Sequence, residues 1–331
     1  MRSATQSKRP PRTRSTAGER RPRSLATRAS FSERKRVKSA REWKAYYAAE
    51  RAELGALGIA ALLDKAAESE IPTLPSRAAD AALVFPHTRL AVSGHLVAAV
   101  ALALVRARCE EVLAIGVLHG AREADAEAVR RAREGAPQAR AAFRRVHGEG
   151  CANDGGHWVE EFSLDGFRVL VDAAAKREGT KPPRILARYP FLVGERPGDL
   201  PGIEELRAAV DRGAALVATA DPIHHGAGYG APEEDRLPRE DPQTLDFARW
   251  TIERGLRCLA AHDVAGFLRH AAEVRSDFRD AGPTVGWLVD PKGPLDVAIL
   301  DLLLVDYSTA LDAPPPTWVA AALARLSVSS A

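Results

Sequence analysis

Cysteine is scarce in this chain of 331 residues: Cys109, Cys151 and Cys258 are odd in number and show no CxxC spacing. That excludes a disulfide framework and a thiolate zinc site, and it fits a reducing compartment. Long apolar runs are also missing. No stretch approaches the roughly 20 residues needed to span a bilayer, and the Arg-rich start has no apolar signal core, so a cytoplasmic protein with no membrane partner is expected. Apolar residues are nearly absent from SKRPPRTRSTAGERRPRSLATRAS, which is rich in proline and positive charge. Such a segment buries too little surface to offset the entropy of ordering, so a disordered tail is expected. It also lacks interleaved aromatics, so no specific nucleic-acid partner is indicated.

What is present divides unevenly. Residues 1–44 hold 15 of the 47 Lys and Arg and 3 of the 44 Asp and Glu, a net +12, while the remainder is −9. We expect two parts: a basic tail over 1–44, turning helical from about residue 32 with Ser32 as N-cap, and an α/β domain over 45–331. Gly55 or Gly58 is expected to divide the first helix. From residue 81 strand-like and helix-like segments alternate. Strands are expected near 81–86, 111–118, 184–193, AALVATA and 296–308, with helices between them, one from His157 to about Lys176 and a last one after PPPTW. The alternation predicts a single three-layer domain with a mostly parallel or mixed central sheet flanked by helices.

Three histidines sit where strand-like runs end: His87 after AALVFP, His119 after EVLAIGVL and His224 after AALVATADPI. Ligands collect at the carboxyl ends of strands in open α/β sheets, so these imidazoles can converge on one metal ion. Imidazole suits Fe(II), Cu(II), Zn(II) or Ni(II), and three of them leave positions open for water, oxygen or substrate. His224 and His225 are neighbours, and only one of an adjacent pair faces a given pocket. Asp221 before Pro222 reads as a helix N-cap and also as a carboxylate that orients His224, and the two roles can coexist. His157 and Glu160, three apart, read as proton carriers or substrate clamps, or as a helix cap. GAGYG (226–230) lacks the spacing of a nucleotide loop.

These segments also carry a resemblance. PHTRLAVSG (86–94) resembles the PHAGYxYSG signature of the MEMO family, whose bacterial members are the AmmeMemoRadiSam system protein B group. GVLHG (116–120) stands where that family has a GPSHH-like turn. GHWVEEFSL (156–164) is similar to its EHSIExxLP segment, YPFLVG (189–194) to its VPxLVG strand and ATADPIHHG (218–226) to its SSDxxHYG. DYSTALDAPPPTW is similar to its YDTSGD and SWVGYA region. The family is related in fold to class III extradiol dioxygenases, non-haem Fe(II) enzymes that open catechol-type rings. The resemblance implies that His87, His119 and His224 are metal ligands, with His157, Glu160 and Asp221 around them as catalytic candidates and Fe(II), or else Cu or Zn, as the cofactor. Thr88-Arg89-Leu90 and Val117-Leu118 depart from the family pattern, and the cysteine that many members carry before a Gly-x-Gly-Pro-like turn is absent near FRDAGP. Two function classes remain: a metal-dependent oxygenase or redox enzyme acting on a small molecule, and a non-catalytic protein that binds metal or a peptide in the same pocket.

Overall fold

The computed structural model describes residues 38–69, 72–74, 80–119, 123–152 and 155–329. They fall in one compact unit, Val37–Ala331. The expected boundary at 44/45 therefore lies inside the first helix, α1 (Ala40–Glu68). Its start is set by a reciprocal cap: the Ser39 side chain accepts from the Glu42 N–H, and the Glu42 carboxylate accepts from the Ser39 N–H at 2.7 Å. Ser32 and the expected tail lie outside the described residues. Of the two glycines expected to divide α1, Gly55 does so, at φ +56°, a conformation that costs a side-chain-bearing residue.

The alternation that follows is β1 (Ala81–Phe85), α2 (Leu90–Arg106) and β2 (Glu111–Ile115), then two short helices, α3 (Ala126–Arg133) and α4 (Pro137–Phe143), and β3 (Arg145–His147). After α5 (Asp165–Glu178) come β4 (Arg184–Phe191), α6 (Ile203–Asp211), β5 (Ala215–Thr219) and β6 (Ile223–Gly226). The chain ends with α7 (Pro242–Ala260), α8 (Val264–Glu273), α9 (Phe278–Val289), β7 (Leu295–Asp306) and β8 (Thr317–Val328). The sheet runs β3-β4-β2-β5-β1-β8-β6, with β7 also on β8. Strands β4, β2, β5 and β1 are parallel, while β3, β6, β7 and β8 add antiparallel pairings. Leu83 and Phe85 face a core built with α1, α2 and α5, and Ala82 and Val84 face one built with α6 to α9. The expected three-layer α/β domain with a mixed sheet is what forms. Among the described residues no helix is long and apolar enough to cross a membrane.

Three local expectations are corrected. The segment after PPPTW is strand β8, not a helix. Its alanines favour helix intrinsically, but it sits between β7 on one edge and β1 and β6 on the other, with Thr317–Ala324 buried throughout. Tertiary pairing overrides propensity there, and small side chains let both helical layers close on it. Residues 155–164 form turns, so α5 begins only at Asp165. Gly155 and Gly156 take φ of +65° and +68°, and the Glu161 carboxylate captures the Phe162 and Ser163 N–H groups that a helix would have used. Two short strands, β3 and β6, also form where none was expected.

One feature of this topology positions the site. Strand β7 occupies one edge of β8 along residues 318–328, so β1, paired to 324–327, and β6, paired to 317–320, share the other edge end to end. Residues 321–323 lie opposite the gap between them. His87 is two residues past β1 and Asp221 two residues before β6, so both border that gap.

Because Ala321 is fully buried between the layers, Ala321→Leu should destabilise the protein by about 1–3 kcal/mol, although leucine is the more hydrophobic residue. Urea unfolding followed by circular dichroism would measure it, and an unchanged or raised midpoint would contradict this packing.

Candidate metal centre

Four turns bring the ligand-bearing side chains together: the ends of β1, β2 and β5, and the start of α9. His87 leaves β1 with its N–H donated to Asp221 Oδ1 at 3.2 Å. Its Nδ1 lies 3.1 Å from Thr219 Oγ1, and that hydroxyl donates to the Phe85 carbonyl at 3.0 Å. With its hydrogen used, Thr219 can only accept, so Nδ1 carries a proton and Nε2 presents a lone pair when the ring is neutral. His119 is fixed in the same sense. Its Nδ1 lies 3.0 Å from Glu161 Oε1, its backbone N–H donates to Glu161 Oε2 at 2.6 Å, and its ring stacks on Phe162 with centroids 4.6 Å apart. A carboxylate accepts only, so His119 Nε2 is also a lone pair when the ring is neutral.

These two Nε2 atoms face each other at 3.2 Å. Asp277 Oδ2 stands 3.0 Å from the first and 3.5 Å from the second. Asp277 opens α9 without capping it; its Oδ1 accepts the Asp221 N–H at 2.7 Å, and its buried Oδ2 has no well-directed hydrogen bond. Two imidazole lone pairs and an orphaned carboxylate oxygen aimed at one point repel unless a cation or protons sit between them. The donor set therefore fits a divalent metal: His87, His119 and Asp277 form one group whose ligand atoms lie within 4.8 Å of one another. A second group, Asp221, His224 and Asp277, meets the same test and shares Asp277.

His224 thus stands with the two aspartates. The Arg275 carbonyl accepts from its Nδ1 at 2.7 Å, leaving Nε2 as a lone pair. The expected divergence of the two neighbours holds. His225 Nε2 accepts the Leu237 N–H at 2.9 Å, and its ring stacks on Trp318. Asp221 is not the N-cap of a helix, because β6 follows, and its hydrogen bond goes to His87 rather than to His224.

His157 is not brought to the cluster. Its Nδ1 pairs with Asp125 Oδ2 at 3.0 Å, and its ring packs beside Phe143 and His147. Glu160 belongs to neither group; its neighbour Glu161, fully buried at the side chain, holds the His119 ring instead, a role expected of neither glutamate. The 155–164 turn is the cause, since helical spacing from His157 no longer determines which carboxylate points inward. Asp277 directly precedes FRDAGP, in the neighbourhood where the resemblance places a cysteine; a search for sulfur passes over it.

Charge in the cluster is sharply partitioned. Burial pushes the His119 imidazolium down, but Glu161 and Asp277 outweigh it and hold its pKa at about 10. His87 is likewise raised by Asp221 and Asp277 against burial. Of the two aspartates, burial drives Asp221 up to about 7 despite the pull of His87, whereas the histidines outweigh burial at Asp277 and hold it well below the usual carboxylate range. Burial lowers His224. One carboxylate is thus a permanent anion and the other exchanges a proton near neutrality.

No family model and no curated protein sequence matches this chain. The geometry of the cluster carries the functional reading.

Two outcomes check it. Asp277→Asn should lower divalent-metal affinity at least 100-fold, Glu161→Gln by about 10–100-fold, and His225→Ala by little, as measured by titration against a competing chelator. Equal affinities in Asp277→Asn and the unaltered protein would remove Asp277 from the site. Because His119 is protonated up to about pH 10 in the metal-free protein, metal binding near pH 7.5 should release at least one proton per ion, and affinity should fall as pH falls. Calorimetry in buffers of different ionisation enthalpy reads that number.

Proposed function

We propose that this protein is a MEMO-like, mononuclear metal-dependent oxidoreductase of the extradiol-dioxygenase type, acting on a small molecule in a reducing, cytoplasmic compartment. The observation that carries the reading is the convergence of His87 Nε2, His119 Nε2 and the orphaned Asp277 Oδ2. Two histidines and one carboxylate are the donor set of non-haem Fe(II) oxygenases, and Fe(II) is the ion that the resemblance implies. When bound, Fe(II) would supply Lewis acidity and a redox centre for dioxygen.

The chain's own groups supply the rest. Thr219 and Glu161 hold the two ring tautomers so that both Nε2 atoms stay available. Asp221, poised near pH 7 and 3.7 Å from His87 Nε2, is placed to take a proton from an incoming hydroxyl group and return it. His224 Nε2, a lone pair beside Asp221 and Asp277, is either a further ligand or a hydrogen-bond acceptor for substrate. Phe162 stacked on His119 and Tyr229 beside His224 at 4.8 Å give the site apolar walls that limit water. Solvent reaches the cluster past His119, whose side chain is 27% exposed against 5% for His87.

The test is anaerobic Fe(II) reconstitution followed by oxygen-electrode assays with a panel of catechols. Stoichiometric iron and substrate-dependent oxygen uptake are expected. Asp221→Asn should keep its iron and lose 100-fold or more in turnover, while His157→Ala stays within a few-fold of the unaltered protein. Full iron occupancy with no oxygen uptake across the panel would contradict the enzymatic reading, and Asp221→Asn at full activity would remove its role.

A further inference from the structure

Two separate pockets border the cluster, one on each face of the sheet. On the face covered by α1, α2 and α5, Phe162, whose ring stacks on His119, lines a pocket with Tyr47, Phe85 and His87. On the face covered by α7, α8 and α9 lies a second pocket, with about 30 Å³ of free space. Its walls are Val84 of β1, Ala322 of β8, Ile252 and Leu256 of α7, Phe267 of α8 and Phe278 of α9, all of them buried. Ala322 is one of the three β8 residues opposite the gap between β1 and β6.

The remaining wall ties this second pocket to the cluster. Ala220 and Pro222, which flank Asp221, line it, and so do Ser276 and Phe278, which flank Asp277. The two aspartates are bonded to each other through the same backbone: the Asp221 N–H donates to Asp277 Oδ1 at 2.7 Å, and the Asp277 N–H to the Asp221 carbonyl at 3.4 Å. An occupant of the pocket therefore lies against the segments that carry one candidate ligand and the proton-exchanging carboxylate. Among the described residues two polar side chains line the pocket, and both are engaged: His270 Nδ1 accepts from Arg254 Nε at 3.1 Å, and Ser276 Oγ accepts the Phe278 N–H at 3.2 Å. A buried water makes about three hydrogen bonds, so walls without partners for them favour a small apolar occupant. A water-sized sphere fills about 10–15 Å³, so 30 Å³ admits a diatomic molecule and excludes an aromatic ring.

We propose that this pocket is a binding site for dioxygen, and that dioxygen reaches the metal centre from the α7–α9 face, behind Asp221 and Asp277, while the organic substrate enters past His119. This rests on the reading of the cluster as an oxygen-using metal centre. An apolar gas is better accommodated among Ile252, Leu256 and Phe267 than in water, so the pocket raises its local concentration beside the cluster. A substrate seated on the His119 side leaves that approach open.

Dioxygen is paramagnetic and speeds the nuclear relaxation of any methyl group it touches. Methyl NMR of the metal-free full chain under raised oxygen pressure should show enhancements at Val84, Ile252 and Leu256 several-fold above those at Val100 and Leu102, which are no less buried and belong to the opposite layer. In iron-loaded protein, Ile252→Phe, which extends a ring into the pocket, should raise the KM for dioxygen about fivefold or more and leave kcat and the catechol KM unchanged. Leu256→Phe, one turn along α7, fills the same pocket and should act alike. Relaxation at the pocket methyls no faster than at Val100 and Leu102, a measurement that needs no variant, would overturn the proposal. So would an unchanged KM for dioxygen in the filled variants. Enhanced relaxation at the pocket in a protein whose iron consumes no oxygen would overturn the oxygenase reading, and the route with it, while the binding site stands.

Discussion

Two imidazole nitrogens 3.2 Å apart, each turned toward the other and toward a buried carboxylate oxygen with no well-directed hydrogen bond, are the constraint on which this structure turns. Nothing in a folded chain holds such an arrangement cheaply, because all of these groups have left water and the two rings, when protonated, repel each other. The surrounding architecture over-determines it. Backbone N–H groups of His87, His119 and Asp221 are each tied to a carboxylate of the cluster, so the strand ends and the α9 start are locked to one another by the same residues that face the centre.

The sheet topology makes this possible. Placing β1 and β6 in tandem on one edge of β8 leaves a gap inside the sheet rather than at its rim. The gap is walled by both helical layers, which explains how a polar cluster can be buried to the extent that Asp221 titrates near neutrality while Asp277, in the same gap, stays ionised. The difference between the two aspartates is one of placement: Asp277 Oδ2 stands nearer the histidines, at 3.0 Å from His87 Nε2, whereas Asp221 Oδ2 is 3.7 Å away.

Much of this was legible in the residues. Period and composition gave the four parallel strands β1, β2, β4 and β5 in order, though not the short β3, and the strand-end rule picked out His87 and His119, the two histidines whose Nε2 atoms meet. What escaped did so for identifiable reasons. Strand β8 reads as helix because alanine favours helix in isolation, while its real environment is a ladder on both edges. Glu161 was hidden behind Glu160 because two positive-φ glycines, Gly155 and Gly156, turn the segment out of helical phase. Asp277 carries no local signal at all: a Ser-Asp-Phe before a helix reads as a cap, and only the fold shows that its side chain declines that role and faces the histidines.

The central claim, that one divalent ion is held by His87, His119 and Asp277, is tested most directly by crystals of the iron-loaded protein and an anomalous difference map at the iron edge. The account predicts a single peak in bonding contact with His87 Nε2, His119 Nε2 and Asp277 Oδ2, with the Nδ1 contacts to Thr219 and Glu161 intact. A peak elsewhere on the chain, or none at this point in protein shown to contain iron, would contradict it.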